Sequence, residues 1–380
     1  MNFEPITNYL DSLDEWDIPA RDMSIWQDHR QIYRHRSGYA DGAARPVSAQ
    51  DIYWQYSTTK LLCCTAALRL IEQGLLSLES AVEEYLPAFG KLTIQEANGQ
   101  IHPAKGKMTI RHLMTMTGGL DYRTDTPELL ALSGKENSGN EEVATAIVAR
   151  PLSFEPGTDF QYSLCHDVLG MVIAVVCQKT LGEVMKEEIF QPLQMNNTGF
   201  FPAHEQREHF TGHFQFDSAA GRAVAMPHQR PFAFTPCYES GGGGLFSTVD
   251  DYIRFADALA CGEIGYNGYR LLQPESLRLL SENQLSEYQL RRFQEKTGHL
   301  GNGYGLGVMT LMDQTLRHYR CPIGTFGWGG ACGTKVYVDP RNHISIYFAM
   351  EATGGRQCEK YEEHPHNRLV NLFYTALEEK

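Results

Sequence analysis

Strand signals stand at the two ends of this chain and helix signals fill its middle, which leaves few ways to fold it. Residues 22–41 read as a β-hairpin: Met23-Ser24-Ile25-Trp26, a polar turn at Gln27-Asp28-His29-Arg30, then Ile32-Tyr33-Arg34. Strands return after residue 303, at Tyr304–Met312, Thr315–Arg320, Thr334–Val338 and His343–Met350. The last two flank the turn signal Asp339-Pro340-Arg341-Asn342. Helices are expected over residues 57–73, with Gly74 as cap, and from Thr109 through Met116, stopped by Gly118-Gly119. Others are expected at Asp167–Lys179 and Gly182–Ile189, after the cap Thr248, and from about Asn367 to Leu377. The simplest solution is an α/β (α+β) fold: one antiparallel sheet built from both chain ends with helices packed on it, plus an inserted, mostly helical lobe. Residues 1–60 and 240–380 would form the sheet domain and residues 61–239 the helical domain, a two-lobe division that suits 380 residues. A cleft between two such lobes is a natural place for a site.

Composition narrows the function. With 42% hydrophobic and 21% charged residues the chain has material for a large core. Its formal charge of −13, without Lys/Arg stripes, argues against a nucleic-acid partner. The longest apolar run, Val168 to Cys177, is too short to span a bilayer, and the first residues lack a basic, apolar leader. A cytoplasmic location without membrane attachment is therefore expected. Nine cysteines, with Cys63 and Cys64 adjacent, make a poor disulfide framework. No Cys-x-x-Cys or His-Glu-x-x-His occurs, so neither a metal nor another cofactor is expected, and His364-Pro365-His366 reads as a solvated loop before the last helix.

Three segments carry chemistry. In Tyr56-Ser57-Thr58-Thr59-Lys60 a helix puts Ser57 and Lys60 on one face, and this is the only Ser-x-x-Lys spacing in the chain. A serine hydroxyl needs an adjacent base to attack, and a helix N-terminus offers unpaired N–H groups to a developing anion. The second segment is the turn Pro156-Gly157 followed by Tyr162-Ser163; a phenolate is favoured beside an ammonium, so Tyr162 can take the serine proton. The third, Thr325-Phe326-Gly327-Trp328-Gly329-Gly330-Ala331, is glycine-rich where a strand is expected. Such a strand suits close approach of another group, and a substrate lying along it is the expectation here.

Taken in order, these segments resemble the serine β-lactamase and penicillin-binding protein superfamily, in which Ser-x-x-Lys is a signature. The resemblance is closest to the class C β-lactamase-like branch with its family VIII carboxylesterases, and runs from about Ala20 to about Met350. Met108 to Leu120, Phe154-Glu155-Pro156-Gly157 and Gly242 to Thr248 are similar to family segments as well. The resemblance implies Ser57 as acylated nucleophile, Lys60 as its proton partner, Tyr162 as the tyrosine of a Tyr-x-Asn motif, and Trp328-Gly329-Gly330 as the strand motif. It implies that Ala331 supplies a second oxyanion N–H, and that Tyr122 lines the pocket.

Two departures are informative. Leu164 stands where the family has Asn, and Trp328 where it has Lys or His. Both would make an apolar pocket less suited to penicillins. The expected function is an esterase for small or apolar carboxylic esters, acting on a small-molecule ester or amide. A weak β-lactamase or D-amino-acid peptidase, and a catalytically silent binding or scaffold protein, are the rival readings. Residues 124–150 and 284–300 are polar and differ most from the family pattern, and the sequence leaves their role open between lid-like loops and helices that set specificity.

Overall fold

The computed structural model describes residues 1–379 apart from Ala97, Asn137, His228, His318 and residues 354–363. Its central element is a seven-stranded antiparallel sheet drawn from both chain ends. The strands are β1 (Ala20–Gln27), β2 (Arg30–Gly38), β3 (Asn302–Tyr304), β4 (Met309–Leu311), β5 (Phe326–Gly327), β6 (Lys335–Asp339) and β7 (Ile344–Ala349). Their order across the sheet is β2-β1-β7-β6-β5-β4-β3. The β1–β2 turn has Asp28 and His29 at φ 50° and 64°, the left-handed pair of a tight hairpin whose twist matches its strands.

Both faces of the sheet are covered, and period-2 alternation sorts the side chains between them. Met23, Ile25, Ile344, Ile346 and Phe348 face one core, closed by α1 (Glu4–Ser12) and α6 (Pro365–Glu378). Tyr347, Ala349, Val336 and Val338 face the larger core shared with the inserted helices. There α2 (Thr59–Glu72), α3 (Cys165–Cys177) and α4 (Val249–Ala260) pack together with the sheet. Thr248 caps α4 by accepting the Asp251 N–H at 3.1 Å. No single helix among the described residues is long and apolar enough to cross a membrane.

Several elements differ from expectation. Tyr304–Met312 is two strands rather than one, because Gly305 to Val308 turns back on itself, with Gly307 at φ 94°. Thr315–Arg317 is a 3₁₀ turn, since Asp313 accepts both the N–H and the hydroxyl of Thr315. The expected helix at 110–116 ends at Met114, and Met116 sits at φ 58°. The 61–239 stretch contains a hairpin, His213–Asp217 with Arg222–Met226, joined by Ala352–Thr353 into a small sheet. His364-Pro365-His366 is no solvated loop: Pro365 is buried at the start of α6 and His366 donates from Nε2 to Gly333 O at 2.8 Å.

One buried side chain ties the sheet to the start of α2. Gln55 Oε1 accepts from Tyr347 on β7 at 2.5 Å and from the Thr58 hydroxyl at 3.0 Å, while its Nε2 donates to Tyr53 O. Its backbone carbonyl accepts from the Thr58 and Thr334 hydroxyls, at 2.8 and 3.1 Å. Tyr252 on α4 stacks on Tyr347 at 4.3 Å and donates to Thr58 O at 2.9 Å. Replacing Gln55 by Leu strands the buried Tyr347 hydroxyl and takes a donor from the Tyr53 carbonyl, while Thr58 keeps its bond to the residue 55 backbone carbonyl. Urea unfolding of Gln55→Leu is expected to show a loss of about 2–3 kcal/mol, while Thr248→Ala, which removes only a cap, is expected to lose about 1 kcal/mol.

Candidate active site

Ser57 lies in a short 3₁₀ turn, Tyr56–Thr58, that runs into α2. Tyr56 takes φ 44°, a left-handed conformation unusual for a bulky residue and costly by roughly 1–2 kcal/mol. The Gln55 network holds that conformation in place. The result puts Ser57 on the wall of a cleft of about 370 Å³, and Tyr162, Trp328, Gly329, Gly330 and Ala331 line the same cleft. Three segments far apart in the sequence thus meet at one place.

Lys60 is fully buried below Ser57. Its ammonium donates to Ser57 Oγ at 3.2 Å, Tyr122 OH at 3.4 Å and Gly242 O at 2.5 Å. Three N–H groups meet three acceptors, an arrangement that suits the protonated form. Burial pulls the Lys60 pKa down, but Tyr122, Tyr162 and Asp167 together pull it up by more, so it ends above the ordinary lysine value. The Tyr122 phenol is pushed up to about 12, by burial first and against the pull of Lys60. Burial likewise raises the Asp167 carboxyl, whose Oδ1 accepts from Ser240 and Tyr238 at 2.6 and 3.2 Å.

Tyr162 is held from three sides. Its ring stacks on Trp328 at 5.5 Å and packs beside Tyr122 at 5.2 Å, and the Lys60 ammonium lies 4.8 Å from its ring centre. Trp328 Nε1–H donates to Tyr162 OH at 3.1 Å. Behind it, Gln161 N and Leu164 N bond to Met116 O and Asp121 O, so the 116–121 segment carries the Tyr162 loop. Residues 284–300 buttress the Tyr162 loop, and His299 among them lines the cleft. Their helix α5 (Glu287–Thr297) clamps that loop through Gln289 to Gly157 O at 2.7 Å and Lys296 to Phe160 O at 2.6 Å. In the other segment, Pro127–Leu130 and Asn140–Val148 are helical.

The glycines of the third segment serve a different purpose from the expected one. A Cβ at Gly330 would lie 2.2 Å from Thr334 Oγ1 and 2.4 Å from Gln55 O, and one at Gly329 would lie 3.3 Å from Lys335 Cδ. The close neighbours are the protein's own groups, which pull the Ala331 turn against the Ser57 turn. Ala331 is exposed at the tip of that turn, closed by Gly333 N to Gly330 O at 2.9 Å.

Not every expected residue joins the cleft. Leu164 is buried at the N-terminus of α3, in a separate hollow with Leu120 and Leu152, because helix entry turns its side chain away from Ser57. Tyr122 sits behind Tyr162 against Lys60 rather than on the cleft wall. The sequence reading missed Lys335, His299, His364 and His366, all of which line the cleft, and the Gly242 carbonyl on Lys60. The run Gly241 to Gly244 was the available signal for the last: a Cβ at Gly242 would lie 2.2 Å from Asp167 Oδ2, so only glycine lets that carbonyl approach.

Comparison with known proteins agrees with this architecture. The family model described as Beta-lactamase matches residues 12–365, and the chain belongs to that family. Esterase EstB of Burkholderia gladioli is 28% identical over 341 residues, covering 83% of this chain and 81% of that protein. Lovastatin esterase of Penicillium rubens is 25% identical over 345 residues, covering 82% of each. The structure of EstCE1, a hydrolase with promiscuous acyltransferase activity, matches with a TM-score of 0.81 and 25% identity over 98% of each chain.

The Trp328 indole N–H gives a test of the geometry around Tyr162. Trp328→Phe keeps an aromatic ring and removes the donor to Tyr162. If Tyr162 takes part in turnover, kcat/KM on any ester the enzyme accepts is expected to fall about 10- to 100-fold, the value of one hydrogen bond to a charge-bearing group. Steady-state kinetics check this, with thermal melting to show that the fold is kept.

Proposed function

We propose that the chain is a serine hydrolase that works through an acyl-enzyme on Ser57 and cleaves small carboxylic esters. The observation that carries this reading is the Lys60 ammonium, saturated by three acceptors of which one is Ser57 Oγ at 3.2 Å. With Lys60 donating to Oγ, the serine's own proton is left to a second acceptor, and Tyr162 faces the same cleft. In this reading Tyr162 takes that proton as Ser57 attacks the ester carbonyl, and Lys60 stabilises the phenolate. The backbone N–H groups of Ser57 and Ala331 hold the oxyanion; one such donor is worth about 3–4 kcal/mol. Tyr162 then protonates the departing alcohol and activates the water that clears the acyl group.

The preference for esters over β-lactams rests on Trp328 and on the relatives that carry esterase names. Trp328 fills the strand position with a flat ring turned onto Tyr162, so no cation stands beside Tyr162 at that position, and the cleft's ammonium, Lys335, lies over Gly329 instead. Leu164, which faces another hollow, adds nothing to the argument. The expected cytoplasmic location stands on the cysteine pattern; adjacent Cys63 and Cys64 are both buried free thiols in α2.

A fluorophosphonate probe is expected to label wild-type protein on Ser57 and to leave folded Ser57→Ala unlabelled. Absence of a wild-type adduct sinks the acyl-enzyme. With a short-chain nitrophenyl ester and a chromogenic cephalosporin side by side, kcat/KM is expected to favour the ester; faster cephalosporin turnover makes the protein a β-lactamase instead. Ser57→Ala is expected to lose at least about 10³-fold in kcat on the ester.

A further inference from the structure

The Ser57 cleft has one cation on its wall that the acyl-transfer chemistry does not use. Lys335 opens β6 and bridges to Gly329 across the hairpin that carries Ala331. Its side chain lies over Gly329, where a built Cβ would come within 3.3 Å of Cδ and 3.8 Å of Nζ. Gly329 leaves room for the Lys335 side chain to lie over it at the cleft wall. Lys335 shares its sheet face with Tyr337, whose ring centre is 5.0 Å from Nζ. The chain holds 46 acidic residues, yet among the described residues none forms an ion pair with Lys335. A half-buried ammonium without a carboxylate is costly to hold unless a ligand supplies the anion.

The groups around it are neutral donors and apolar walls. His364 Nδ1 accepts the His366 N–H at 3.4 Å, which leaves the proton of a neutral ring on Nε2. His366 is committed to Gly333 O. Burial pushes His364 down to about 4 and His366 well below its ordinary value, and it brings Lys335 down to about 8. At neutral pH this end of the cleft therefore carries one ammonium beside two uncharged imidazoles, with Met309 and Trp328 as apolar walls.

We propose that this end of the Ser57 cleft is a carboxylate-binding subsite, centred on the Lys335 ammonium and assisted by His364 Nε2–H, so that the substrate is an ester bearing a free carboxylate. The inference rests on the acyl-enzyme reading and names its substrate class. The apolar walls then take the methylene or aryl spacer between ester and carboxylate. One cation and one N–H donor suit a single planar carboxylate. The surrounding charge of −13 repels anions in general, so preference for an anionic ester has to arise locally.

Two matched pairs test the subsite with the carboxylate on either side of the ester: monoethyl adipate against ethyl hexanoate, and 4-acetoxybenzoate against 4-acetoxybenzamide. In at least one pair, wild-type kcat/KM is expected to favour the anion by about tenfold or more, chiefly through KM. Lys335→Met is expected to bring that ratio to about one, and Lys335→Arg to retain most of it. A wild-type ratio at or below one in both pairs overturns the subsite, whatever the variants do. A preference that survives Lys335→Met in folded protein overturns it equally. Should neither member of either pair be turned over, the esterase reading fails instead. Calorimetry with glutarate then decides the subsite: binding that Lys335→Met abolishes supports it, and no binding to wild type overturns it.

Discussion

The candidate site depends on the buried amide of Gln55. The Ser57 turn, the β7 strand and the Ala331 turn come from three separate parts of the chain; the Gln55 amide bonds to the first two through Thr58 and Tyr347, and its backbone carbonyl accepts from Thr334 beside the third. A buried amide must have its donors and acceptors met, and here each partner is also a structural element of the site. The same network holds Tyr56 in a left-handed conformation that no local preference would choose. Strain of this sort persists only where surrounding contacts over-determine it, and it turns the Ser57 hydroxyl toward the cleft rather than into the start of α2.

Charge is arranged in two layers. Inside, the Lys60 ammonium has every proton directed at an oxygen, on Ser57, Tyr122 and Gly242, and Asp167 adds to the pull on it. Burial alone would drive that lysine toward neutrality; the oxygens around it win. Further out, the wall made by β6 and the start of α6 presents Lys335 with no internal carboxylate among the described residues. The first lysine belongs to the protein's own network and the second faces whatever enters the cleft. In the reading proposed for this cleft, that difference in partners, more than distance along the chain, separates a group that serves catalysis from one that selects a substrate.

Much of the fold was legible because it follows from short-range patterns. The β1–β2 hairpin, the capped α4 and the strands from both ends are read from turn residues, caps and period-2 alternation. The failures have local causes too. Tyr304–Met312 looks like one apolar strand, and only the left-handed Gly307 breaks it in two. Leu164 was placed in the pocket by its position beside Tyr162, but entry into α3 turns the two side chains apart. The histidines at the start of α6 looked solvated because their acidic neighbours in sequence hid the strand β6 that packs over them in space.

The sequence by itself determined the pairing of Ser57 with Lys60, because three residues is close to one helical turn and that spacing survives any tertiary context. It also determined that both chain ends build one sheet, since strands with two buried faces have no other place to go. Only the tertiary structure decided what surrounds that pair. Gly242 reaches Lys60 across 182 residues and Trp328 reaches Tyr162 across 166. The cleft that brings Lys335 and His364 into line with Ser57 exists only after β5 and β6 have paired and α6 has docked. Contacts of that range are set by strand register and by the packing of whole elements, and no local spacing encodes them.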